Sequence, residues 1–82
     1  MFIYKTKGVC ATEIHLDIEK DTIKSVEFVR GCQGNLTGIS ALVSGMNIDD
    51  AINKLRGIDC RNKGTSCPDQ LSKALEEYKL SA

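Results

Sequence analysis

The sequence predicts an α+β fold: a three-stranded antiparallel meander followed by three helices packed on one face, in the order β-β-β-α-α-α. Two observations carry this. Apolar residues alternate with period two as far as Val29, and beyond Gly31 they recur at helical spacing. Glycines and capping residues then divide the helical half into three pieces.

In chain order, Phe2 to Lys7 is a short strand closed by Gly8. Thr12, Ile14, Leu16 and Ile18 alternate with Glu13, His15, Asp17 and Glu19, the pattern of a half-buried strand. Lys20-Asp21 makes a turn, and Ile23 to Val29 is the third strand, with Val26 and Phe28 on one face. Gly31 to Asn35 reads as a loop. Leu36, Ile39, Leu42 and Val43 then mark a helix that Gly45 ends. Asn47 can cap a second helix with the stripe Ile48, Ala51, Ile52 and Leu55, stopped by Gly57. Pro68 suits the first turn of a third helix, whose apolar face is Leu71, Ala74, Leu75 and Tyr78. The expected core is Ile14, Leu16, Ile18, Val26, Phe28, Leu36, Ile39, Leu42, Ile52, Leu71, Leu75 and Tyr78.

Composition narrows the function. At 82 residues the chain is expected to be one domain over 1–82, and a core that small gains from a metal, a partner or a dimer interface. Eleven basic and eleven acidic residues cancel, which leaves no footprint for nucleic acid or an anionic membrane. Neither a signal peptide nor a membrane span is visible, so the expected location is cytoplasmic. In that compartment cysteines point to metal binding or redox chemistry rather than to structural disulfides.

The four cysteines fall at element ends: Cys10 between the first two strands, Cys32 before the first helix, Cys60 after the second, and Cys67 at the start of the third. Ends of elements in a small layered fold gather at one rim. A helix start offers unpaired N–H groups that favour a thiolate, the form that binds metal or attacks a disulfide. For Cys67 the expected donors are the N–H groups of Asp69 and Gln70. Arg30 and Arg61 lie near Cys32 and Cys60 in sequence, and Thr65 and Asp69 flank Cys67, which makes these four the supporting residues. The spacing contains no C-x-x-C and is not that of a zinc ribbon. Other motifs carry less. His15 reads as a surface residue among carboxylates, and Asp49-Asp50 and Glu76-Glu77 read as solvated or helix-end charges. Gly31-x-x-Gly34 lacks the lysine of a phosphate loop. No acid–base pair marks a catalytic site.

The run Thr65-Ser66-Cys67-Pro68-Asp69 spells the name of the TSCPD domain family. Tyr4-x-Thr6-x-Gly8-Val9-Cys10, Gly31-Cys32-x-Gly34-Asn35-Leu36, Gly57-Ile58-x-Cys60 and Thr65 to Leu71 resemble its small stand-alone members with four cysteines. A related domain occurs near the C-terminus of cobalamin-dependent ribonucleotide reductases, so the resemblance implies a link to ribonucleotide reduction. The chain is too short to be the reductase itself. A weaker similarity is to iron–sulphur cluster assembly scaffold proteins, whose cysteine places match Cys10, Cys32 and Cys67. Thr12 stands where those proteins have an aspartate, and Cys60 is additional. A fourth thiolate in place of the carboxylate favours a tighter, closed site.

Three readings follow. The leading one is a non-enzymatic site of Cys10, Cys32, Cys60 and Cys67 that holds zinc or an iron–sulphur cluster, accessory to redox metabolism and working with a protein partner or as a homodimer. The second is a thiol–disulfide module that reduces a partner enzyme through Cys60 and Cys67. The third is a plain protein-interaction domain.

Overall fold

The structure, a computed structural model, describes residues 1–31, 33–58 and 64–81. Three strands, β1 (Phe2–Lys5), β2 (Glu13–Glu19) and β3 (Thr22–Val29), precede three helices, α1 (Gln33–Val43), α2 (Ile48–Leu55) and α3 (Cys67–Ser81). The sheet is antiparallel in the order β1-β2-β3. This is the β-β-β-α-α-α order that the change of period implies.

Two places depart from simple alternation. Ile23 is fully buried although it lies three residues before buried Val26. An odd spacing puts two residues on one face only if the strand carries an extra residue. It does: Asp17 pairs with Ser25 and Ile18 with Ile23, which leaves Lys24 as a β-bulge. The second departure is α1, which begins at Gln33, so part of the expected loop from Gly31 to Asn35 is helical.

The core joins Ile14, Leu16, Ile23 and Val26 of the sheet to Val43, Ile48, Ala51, Ile52, Leu71, Ala74 and Leu75 of the helices. Phe2, Tyr4, Ile18, Phe28, Ile39 and Tyr78 pack against it half-buried, and the rings of Phe2 and Tyr78 meet edge to face at 5.6 Å. Leu36 is buried as expected. Leu42 corrects the expected core, because it is 78% exposed. Its neighbour Val43 takes the inward position at the end of α1, and adjacent helical residues do not share a face.

The helix ends follow local rules. Asn47 caps α2, its side-chain oxygen accepting the N–H groups of Asp49 and Asp50 at 2.9 and 3.4 Å. Gly45 and Gly57 follow α1 and α2 in the left-handed region, at φ +88 and +82, where glycine costs least.

Candidate functional site

The start of α3 carries a dense set of hydrogen bonds. Ser66 is its N-cap: the Ser66 hydroxyl accepts the Asp69 N–H at 3.1 Å and the Ser66 carbonyl accepts the Gln70 N–H at 2.8 Å. The same hydroxyl donates to the Ile58 carbonyl at 2.6 Å. Asp69 is 4% exposed, yet its carboxylate is fully used. Oδ1 accepts the Gly57 N–H at 2.8 Å, and Oδ2 accepts the Thr65 hydroxyl at 2.6 Å and faces Lys73 Nζ at 3.3 Å. Burial alone pushes the Asp69 carboxyl up. The hydrogen bonds from Thr65 and Gly57 and the Lys73 ammonium together outweigh that and hold it below the usual carboxylate range. Gln70 reaches the other way. Its Oε1 accepts the Lys7 N–H at 3.1 Å and its Nε2 donates to the Thr65 hydroxyl at 3.0 Å.

This network ties the segment before Cys10 to the start of α3, which carries Cys67. Lys7 to Ala11 link β1 to β2, and the Lys7–Gln70 bond seats that link on α3. A Cβ on Gly8 would stand 3.6 Å from the Thr65 methyl group. Gly8 lies two residues before Cys10 and Thr65 two residues before Cys67, so the two cysteines sit at the same end of the sheet. Gly31 brings in the third segment. A Cβ there would stand 2.7 Å from Leu36 Cδ1 and 3.2 Å from the Ala11 N, at φ +97, so only glycine allows the approach. Ala11 follows Cys10, and Gly31 precedes Cys32. Ile58 and Thr65, which flank residues 59–63 in sequence, are each held to the start of α3, the Ile58 carbonyl by Ser66 and the Thr65 hydroxyl by Asp69.

Cys10 is exposed and Cys67 half-buried, and both carry free thiols. Cys32, Cys60 and Arg61 lie outside the described residues. Among the described residues, no three His, Cys, Asp or Glu side chains come together to hold a metal ion. Arg30 is exposed and adopts the left-handed region at φ +66.

One expectation for Cys67 is corrected. The N–H groups of Asp69 and Gln70 were to face its sulfur, but Ser66 takes both. The residues that sequence reasoning missed are Ser66 and Gln70. Ser66 had a signal, since Ser66-x-x-Asp69 is a capping pattern one residue ahead of the cysteine. Gln70 had none, because its partner Lys7 is far away in sequence. His15 is also corrected: it is half-buried, with Nε2 2.9 Å from Glu13 and Nδ1 3.6 Å from Glu27.

A family model for the TSCPD domain matches residues 2–79. The chain belongs to the TSCPD domain family. Neither a curated protein nor a solved structure matches it. Within the TSCPD run of this chain, Thr65, Ser66 and Asp69 are committed to the hydrogen bonds that start α3 and seat its neighbours. Cys67 is the one thiol of the five and is half-buried.

Proposed function

We propose that Cys10, Cys32, Cys60 and Cys67 form one thiolate site that holds zinc or an iron–sulphur cluster, and that the chain serves as an accessory to a redox enzyme. The observation that carries the reading is the pair of close approaches, Gly8 on Thr65 and Gly31 on Ala11, which support a shared rim for cysteines far apart in sequence. Four thiolates are a donor set that zinc and iron–sulphur clusters both accept. Bound metal would cross-link four segments of a small domain, and a cluster would add electron transfer.

The chain's own residues supply the frame. Asp69 holds Thr65 and Gly57, Gln70 holds Lys7, and Ser66 holds Ile58, so the segments on either side of Cys10 and Cys67 keep their positions without metal. The N–H groups expected to favour a Cys67 thiolate serve Ser66, which weakens the thiol–disulfide reading through Cys60 and Cys67 and the metal reading alike. A tie to ribonucleotide reduction rests on the family resemblance.

The test is metal and sulfide analysis of protein purified without oxygen, beside Cys10→Ser and Cys67→Ser. The expected result is bound metal in the parent and its loss in both variants, with the helical signal unchanged. Equal metal content in all three proteins would defeat the single-site reading.

A further inference from the structure

The outer edge of β3 is finished along its first half and open along its second. Ile23 donates its N–H to the Met46 carbonyl at 2.9 Å and accepts the Gly45 N–H at 2.7 Å. The Ser44 hydroxyl donates to the Lys24 carbonyl at 3.0 Å. At the far end, the Val29 carbonyl accepts the Thr12 N–H at 2.8 Å, so Val29 turns its main chain toward β2. Direction alternates along an antiparallel strand, which turns Glu27 and Ser25 the same way. Val26 and Phe28 therefore aim their N–H and C=O groups outward, where among the described residues no main-chain partner meets them. Such an edge is a template for another extended chain.

Two further features say what that chain is like. A cleft of about 470 Å³ lies between this stretch and α1, lined by Phe28, Leu36, Thr37 and Ser40 and also by Glu27 and the charged Arg30. Helix α1, Gln33–Val43, has no charged residue, so the helical wall of the cleft is uncharged, with Leu36 as its apolar contact. On the opposite, open face of the sheet the strand presents Glu27, whose side chain is 78% exposed and lies beside His15. Glu13 and Asp17 of β2 share that face, since they alternate with buried Ile14 and Leu16.

We infer that the Val26–Phe28 edge accepts an extended partner segment as an added strand, one that alternates apolar side chains toward the cleft with basic side chains toward Glu27. Main-chain hydrogen bonds hold such a segment, and the alternating side chains select it. A second copy of this chain fits less well. Antiparallel pairing of Val26 with Phe28 of the copy sets one Glu27 directly against the other, and like charges in that position repel. The inference stands apart from the thiolate reading.

The full chain is titrated with the acetylated, amidated peptide Val-Lys-Val-Lys-Val while amide hydrogen exchange is followed by NMR. Exchange at Val26 and Phe28 should slow by about tenfold at saturation. A counterpart with glutamate in place of lysine should bind about threefold or more weakly, and Glu27→Lys should reverse that order. Methylating alternate peptide nitrogens should remove the protection. The inference is overturned if the lysine peptide leaves Val26 and Phe28 unprotected. It is equally overturned if peptide-free protein shows protection that rises with its own concentration, which gives the edge to a second copy.

Discussion

Helix α2 opens on Asn47 and helix α3 on Ser66, each with an aspartate three residues on. At α2 the cap is local and solvated. Asn47 accepts two N–H groups of its own helix, and Asp50, three residues on, is exposed. At α3 the cap is buried and faces outward. Ser66 also binds Ile58, Asp69 binds Gly57 and Thr65, and Gln70 binds Lys7. A cap in water serves its own helix. The same motif under cover becomes a joint between segments, because each buried polar group must find a partner and those partners lie on neighbouring chain. Among the described residues no buried side-chain polar atom lacks one.

The largest expected effect is therefore at Asp69. Asp69→Ala leaves the Gly57 N–H and Thr65 hydroxyl without their acceptor and should cost about 3 kcal/mol in urea unfolding. A loss no larger than that of an exposed cap would break the comparison. The pH dependence sharpens it. The Asp69 carboxyl is held below its ordinary value, so its contribution is complete above the unfolded pKa of about 3.9 and is lost as pH falls through the lower folded value. Asp69→Asn should flatten that part of the acid limb, and an unchanged limb would assign the acid sensitivity elsewhere.

Ser66→Ala should cost about 2 kcal/mol, since it removes a cap and leaves the Ile58 carbonyl short of a donor. Asn47→Ala is the smallest, about 1 kcal/mol, because water can replace what the exposed side chain supplied. Thermal unfolding of the two variants side by side checks the order. Equal shifts would mean that burial adds nothing to a cap.

Much of the fold was legible because strands and helices announce themselves by period. The β2 pattern from Glu13 to Glu19 and the stripe of Leu71, Ala74 and Leu75 needed no tertiary information. The errors lie where long-range contact decides. Ile23 is buried through a bulge that depends on the β2–β3 register, and Leu42 lost the inward place to Val43 at a helix end. The site divides the same way. The position of the cysteines at element ends was readable, and so was the capping pattern at Ser66. The role of Gln70 was not, because its partner at Lys7 is 63 residues away.

The central claim is that the four thiols act as one unit on a frame built by Thr65, Ser66, Asp69 and Gln70. Timed alkylation of protein purified without oxygen, read by mass, tests it most directly. All four thiols should be protected together and released together when a chelator strips the metal, whereas Asp69→Ala should loosen that protection without removing a thiol. Four thiols that react independently, at rates a chelator does not change, would contradict it.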